Sequence, residues 1–347
     1  MSSQPLSVIG AGMVTGVGLS GPTSCAAIRC GVNNFQETRF MDRAGEWLVA
    51  SEVPMEQPWR GPEKLGRMLA SVIQESFASN PSLNPESTPV IMCFSERERP
   101  GRPDRLNERV VEATQRLLDY SLSESSMTIT QGRVGAVVAL REARRIIYEQ
   151  HLPAVIIAAV DSYLSAPTLN AYIDKRRLLT SDNSNGFVPG EGGAAVVVGR
   201  PAASEEPQLV VLGIGFGVEK STIESAEPLR AEGLVQAIKG SVAEARTELG
   251  ALDFRITDAT GEQYFFKEAS LALTRTLRRR KEEFDFWHAT DCVGETGSAA
   301  GPIALNYAWH ASEEEYSKGE KILCHFGNDD GKRAAVVMSY QPVPHHG

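Results

Sequence analysis

Four side chains of the kinds that cleave acyl bonds stand near the C-terminal end of this sequence. They are Cys292, three residues before Glu295, and the adjacent pair Cys324 and His325. A thiolate can attack an acyl carbon, an imidazole can take the thiol proton, and a carboxylate can orient the imidazole, so these types could build a substitute hydrolase or transferase site. Adjacent residues on a strand point to opposite faces, which argues against Cys324 and His325 serving each other and for buried structural roles. The five cysteines, Cys25, Cys30, Cys93, Cys292 and Cys324, form no CxxC pair and neighbour no histidine cluster. Neither a metal site nor a disulfide framework is expected, and nothing calls for a cofactor. His345 and His346 end the chain in a polar tail expected to be disordered.

Positioning these residues falls to a repeated set of elements. Each half of the chain opens with an apolar run carrying glycines, Leu6 to Gly18 (LSVIGAGMVTGVG) and Leu209 to Gly217 (LVVLGIGFG). Each half closes with a helix and two strands. In the first these are Val134 to Glu149, Ala154 to Val160 and Ala194 to Gly199; in the second, Ala299 to Glu314, Lys321 to Phe326 and Ala334 to Tyr340. The polar link Arg200 to Pro207 (RPAASEEP) separates them, predicting two similar halves at 1–204 and 205–347. Within the NGFVPGEGGA stretch, Gly186, Gly190, Gly192 and Gly193 form a structural glycine loop, where the backbone takes positive φ or passes close to a neighbour.

Composition bounds the partners. A formal charge of −9, from 44 acidic against 35 basic residues, argues against nucleic acid, whose backbone needs a net basic face. No run approaches the roughly 18 apolar residues that span a bilayer, and the N-terminus lacks a signal-peptide layout, so no membrane association and a cytoplasmic location are expected. Two basic runs, Arg97 to Arg109 and Arg275 to Lys281, are interleaved with acidic residues. They read as a solvated loop and a solvated helix end, with an anion or acyl-carrier docking patch as the rival reading.

Four segments, in order across nearly the whole chain, resemble the β-ketoacyl synthase family. Gly12 to Phe35 resembles its opening strand and first helix, and NGFVPGEGGA (Asn185 to Ala194) its DGFVxGEGAG loop. GETGSAAGPI (Gly294 to Ile303) resembles its GHLLGAAGAV, and FGNDDG (Phe326 to Gly331) its closing FGFGGTN. The resemblance implies an α/β chain with the five-layered α/β/α/β/α thiolase-like fold made of two similar halves. It also implies pairing through the sheet edge of the first half, as a homodimer or a heterodimer with a related synthase. Fewer residues than usual lie between Phe35 and Glu75, which implies a trimmed cap and a shallow pocket, and that stretch matches no family element.

The family's chemistry requires a cysteine at a helix N-terminus, where the free amides lower its pKa, and two histidines that polarise a thioester oxygen. In this sequence the cysteine position falls on Gly132 of TITQGRVG, or on Gln131 or Arg133 with a one-residue slip. The first histidine falls on Thr260 of ITDATGE, the second on Glu295, and the preceding lysine on Thr290. Threonine cannot replace an imidazole, and an ionised Glu295 would repel a malonyl carboxylate. The resemblance thus keeps the scaffold and drops the catalytic set, implying no catalytic residue by the family mechanism.

What remains at those positions is a pocket lined by Gln131, Arg133, Cys292, Cys324, His325 and Asn328 as candidates. Arg133, a cation in the first turn of a helix, opposes the macrodipole by about 0.3 to 1 kcal/mol and either pairs with Glu295 across the old pocket or points to solvent. Glu295 itself precedes the helix beginning near Ser298, where free amides favour a carboxylate. The functional expectation is a binding or scaffolding protein: an inactive synthase subunit, as chain length factors are, or an adaptor or chaperone for a protein client, with an acyl carrier protein as a further possible partner. The alternative is an acyltransferase, hydrolase or decarboxylase acting on acyl thioesters through other residues of the old pocket.

Overall fold

The computed structural model describes residues 4–344, so His345 and His346 lie outside the described residues. β1 (Leu6–Thr15) runs into α1 (Gly21–Arg29), whose start is fixed by Ser20: its hydroxyl accepts the Thr23 amide while Thr23 Oγ1 accepts the Ser20 amide. A separate hairpin, β2 (Phe35–Met41) with β3 (Trp47–Ser51), and the long α2 (Gly61–Ala78) occupy the stretch that matched no family element. β4 (Val90–Phe94), α3 (Leu106–Gln115), β5 (Met127–Thr130), α4 (Gly135–Glu149), β6 (Ala154–Ser162), α5 (Ala166–Asp174) and β7 (Glu191–Gly199) follow. Then come β8 (Ser204–Val218), α6 (Glu232–Glu244), β9 (Phe254–Thr257), α7 (Gln263–Thr276), β10 (Phe286–His288), α8 (Thr290–Val293), α9 (Ala300–Glu313), β11 (Lys321–Gly327) and β12 (Lys332–Val343).

Ten strands form one sheet in the order β10-β9-β11-β12-β8-β1-β7-β6-β4-β5. The antiparallel pairing of β1 with β8 joins two five-stranded parts. From that seam outward the order of elements is the same on both sides: β7, β6, β4, β5 on one and β12, β11, β9, β10 on the other. Runs such as AVIIAAV in β6 and AAVVV in β7 are apolar throughout because both faces are covered.

The helices make the layers. α2 and α3 share a core with the outer face of β4, β6 and β7, through Met68, Ile73, Met92, Val110 and Ile156. α6 and α7 cover β11 and β12 through Leu234, Ile238, Ala272, Leu323 and Val337. Between the two parts, α4 and α9 bury Val137, Leu140, Ile147 and Leu305 against both Ile91 and Ile157 on one side and Ile256 and Ile322 on the other. The chain therefore has the five-layered α/β/α/β/α thiolase-like arrangement. α9 is buried almost all round, as a helix inside a middle layer must be, whereas α4 keeps Arg141, Arg145 and Glu149 in solvent.

Two sequence expectations need correction. The GEGG segment is the start of β7 and not a turn, and none of Gly186, Gly190, Gly192 and Gly193 has positive φ. Close approach explains the loop: a Cβ on Gly190 would lie 2.4 Å from the Val293 carbonyl oxygen, and one on Gly186 2.3 Å from the Leu178 carbonyl carbon. The expected link at 200–207 is also shorter, because β8 already begins at Ser204.

Candidate functional site

The two helices of the middle layer begin side by side at the heart of the molecule. α4 is entered through a single 3-10 turn, Gly132–Val134, and α9 through another, Gly297–Ala299. The Asn328 side chain secures the first of these: its Nδ2 donates to the Gln131 carbonyl at 2.8 Å and its Oδ1 accepts the Val134 amide at 3.3 Å. The closing hairpin between β11 and β12 thus supplies the cap that α4 lacks in its own sequence.

Gly132 has φ +54°, and a Cβ placed there would stand 2.2 Å from Glu96 Oε2 and 3.1 Å from Asn328 Oδ1. A cysteine at this position would be strained in its backbone and blocked by a carboxylate. Glu96 is held there by Arg99, whose Nε and Nη2 donate to its two oxygens at 2.9 and 3.1 Å, while Nη2 also reaches Asp161 at 3.1 Å. Arg99 is 5% exposed, so the basic run at 97–109 is not simply a solvated loop; part of it is drawn into the centre by two carboxylates.

Arg133 is buried and paired, which settles the open alternative about its direction. Its Nη1 donates to Glu295 Oε2 at 3.1 Å and its Nη2 to Asp329 Oδ1 at 2.7 Å, its Nε lies 3.7 Å from Asp258, and the guanidinium sits over the Phe265 ring. Glu295 Oε1 accepts the Gly297 amide at 2.8 Å, and its backbone is clamped by the glycine loop through Glu295 N to Val188 O and Gly190 N to Glu295 O. The segment most similar to the family motif therefore holds Glu295 in place. Asp329 also accepts from Arg177, which forms a bidentate pair with Glu262 at 2.7 Å for each bond.

Three buried guanidinium groups, Arg99, Arg133 and Arg177, thus face six carboxylates: Glu96, Asp161, Asp258, Glu262, Glu295 and Asp329. Not all the acids are equally stabilised. Burial would raise Asp329, but Arg133 and Arg177 outweigh it and hold the carboxyl well below the usual range. Burial pushes Glu295 up to about 7, against the pull of Arg133 and with a further push from Asp258. Arg133 itself is held firmly charged, burial being outweighed by Glu295, Asp329 and Asp258.

The sequence singled out Arg133, Glu295, Asn328 and Gln131, and the structure brings these together. It missed Glu96, Arg99, Asp161, Arg177, Asp258, Glu262 and Asp329. The acidic pair of FGNDDG and the Asp258 and Glu262 that flank Thr260 were the visible signal, since carboxylates at the ends of buried strands need cations.

The thiols do not join this site. Cys324 lies in the middle-layer core and burial raises its pKa, while Cys292 packs beside Met13, Cys25 and Ile28 with burial and Asp291 raising its thiol to about 11. His325, on the opposite face of β11 from Cys324, meets Thr257 Oγ1 at 3.3 Å; burial, then Arg255 and Arg333, lower its pKa to about 3. Among the described residues neither thiol has a histidine partner. Thr260, Thr290 and Glu295 do converge, on a cavity of about 260 Å³ also lined by Phe35, Leu179 and Val188. Thr290 Oγ1 donates to the Ala259 carbonyl at 2.5 Å. Among the described residues no cluster of His, Cys, Asp and Glu has metal-binding geometry, and no helix is long and apolar enough to cross a membrane.

No protein-family model matches this chain, and no curated protein does. Solved structures do. A ketosynthase in complex with its chain length factor from Xenorhabdus doucetiae superposes with a TM-score of 0.75 at 14% identity, covering 97% of this chain and 98% of that one. The ishigamide ketosynthase/chain length factor gives 0.77 at 15% identity, over 98% and 100%. A type II polyketide synthase acyl-carrier protein structure in complex with its ketosynthase gives 0.78 at 12% identity, over 98% and 100%. Likeness at such identities establishes the thiolase-like fold of ketosynthases and chain length factors.

Proposed function

We propose that this protein is a non-catalytic ketosynthase-like partner, an inactive synthase subunit or an adaptor for another protein, working in the cytoplasm beside an active synthase. The observation that carries this reading is the occupied nucleophile position. Gly132 offers no thiol, its left-handed backbone disfavours a side chain, and the Glu96 carboxylate fills the space a thiol would take. The histidine and lysine positions, Thr260, Glu295 and Thr290, lack imidazole and ammonium groups as well. Solved structures of the same fold include ketosynthase and chain length factor complexes and a ketosynthase with its acyl-carrier protein, which supports a related synthase or an acyl carrier protein as partner. Two halves at 1–204 and 205–347, related by duplication, belong to this reading and are supported by the shared strand order on either side of the β1 and β8 seam.

Intact-mass spectrometry after incubation with acyl and malonyl carrier proteins tests it. The expected result is an unmodified chain and unconsumed carrier. A stoichiometric acyl adduct, or thioester turnover lost on Cys324→Ala or Cys292→Ala, would replace this reading with the acyltransferase or hydrolase one.

A further inference from the structure

We infer that the basic strip between α7 and β10, together with Arg255 of β9, is a docking surface for a short acidic segment of a partner protein. The strip is residues 275–281 (RTLRRRK), five cations in seven residues. The inference rests on the reading of this chain as a partner of another protein.

The strip's charges lack counter-ions. Arg275 gives its Nη1 to the Arg230 carbonyl and Lys281 its Nζ to the Leu252 carbonyl, so both are tethered to backbone and keep their charge. Arg278, Arg279 and Arg280 are exposed, and among the described residues none of the five forms an ion pair, even with the adjoining Glu282 and Glu283. Asp285, the next acid, is taken by Lys318 at 3.4 Å. Other surface cations do find acids: Arg116 pairs with Glu63, and Lys332 with Asp330.

Arg255 supplies the observation that points to a ligand. It is partly buried, and its Nη2 donates to the Phe284 carbonyl at 3.2 Å instead of to a carboxylate. Burial, unopposed by any acid, lowers its pKa to about 10. Arg255 Cζ and Lys281 Nζ lie 4.8 and 5.0 Å from the centroid of the one Phe284 ring. The ring attracts each cation, but the two repel each other, and a carboxylate laid beside them offsets both the repulsion and the desolvation. Net charge selects the kind of anion. The whole chain carries −9, so a nucleic-acid duplex or an anionic membrane, reaching beyond the strip, meets acidic surface around it. A short acidic segment stays within the roughly 8 Å over which the strip's field acts at physiological salt.

Fluorescence anisotropy on the full chain is the test, with a dye-labelled, end-capped peptide of glutamates around a single leucine. Its glutamine counterpart, a DNA duplex and anionic phospholipid vesicles are the comparisons. The glutamate peptide is expected to bind at least about tenfold more tightly than the glutamine one at low salt, and to weaken as salt rises. Arg278→Glu, Arg279→Glu and Arg280→Glu together should abolish binding with an unchanged circular-dichroism spectrum. Arg97→Glu, Arg105→Glu and Arg109→Glu together change the net charge equally on the other basic run and should leave binding within about twofold. No binding of the glutamate peptide at low salt, equal loss in both variants, or tighter binding of the duplex or the vesicles would overturn the inference. The non-catalytic reading fails on an acyl adduct instead, so the two fail separately.

Discussion

Arg133 has three acidic neighbours, and that number changes what removing any one of them does. A single buried ion pair broken at one partner costs about 3–5 kcal/mol, because a lone charge is left in a dry site. Glu295→Ala would leave Arg133 still bonded to Asp329 and near Asp258, so its expected cost is about 1–3 kcal/mol, that of a charged hydrogen bond. Arg133→Met takes the cation away from Glu295 and Asp258, while Asp329 keeps Arg177, and should cost about 3–5 kcal/mol. Urea unfolding of the two variants gives the order, and Glu295→Ala being the more damaging would show that the cluster does not share its charge. The proton balance follows the same residues. Glu295 at about 7 in the fold, against an ordinary 4.5, binds a proton between those values that the unfolded chain does not. Its contribution to stability therefore falls as pH rises from 4.5 to 7 and is constant above, by about 3 kcal/mol in all. Glu295→Gln should flatten the fall in urea midpoint across that window; an unchanged slope would place the titration elsewhere. Arg133 and Glu295 could be paired from the sequence because each charge, placed by the motif register in one pocket, demanded a counter-charge. Arg99 could not be, since its partners Glu96 and Asp161 come together only once β6 is in place, and a run such as RERPGRPDR looks solvated by composition alone.

At the level of elements, the glycines of β8 were visible in the sequence but their purpose was not. Gly213, Gly215 and Gly217 recur with the strand period of two, so they share a face, and that face is where α6 lies. A Cβ on Gly215 would be 1.9 Å from the Ala237 carbonyl oxygen and 2.5 Å from the Ser241 amide, so the helix backbone rests directly on the strand. Apolar runs and helical periodicity placed β6, β7, α4, α9, β11 and β12 to within a few residues, because both-face burial leaves an unbroken apolar signature. The hairpin of β2 and β3 left no such mark, having one face in solvent and a mixed composition, FQETRFM. The same physics makes Gly215→Ala a test of the α6 contact. Overpacking of this kind costs about 1–3 kcal/mol, and the loss should appear in the urea midpoint. A neutral substitution would mean that α6 is free to ride outward.

The whole molecule ends in two sheet edges of unlike character. β10 is three residues long and half-buried, with Phe286 against Phe266, His288 and His325. Among the described residues β5 pairs on one side only, with β4, and its sequence MTIT carries no proline and no charge, while Met127 and Thr128 are exposed. Exposed strands without such guards invite another strand, and natural monomers avoid leaving them bare. Pairing of β5 with its copy, or with the matching edge of a related synthase, would extend the sheet and bury Met127, and a two-fold axis makes the contact self-complementary. Met127→Lys places a charge where the partner strand would lie and leaves the protomer untouched, since that side chain is already 38% exposed. Light scattering should give the mass of two chains for the unmodified protein, or of one chain with its synthase where the two are co-expressed. The Met127→Lys variant should run as a single chain and lose the synthase, with an unchanged circular-dichroism spectrum. A variant that stays paired would move the interface away from β5 to another face of the molecule.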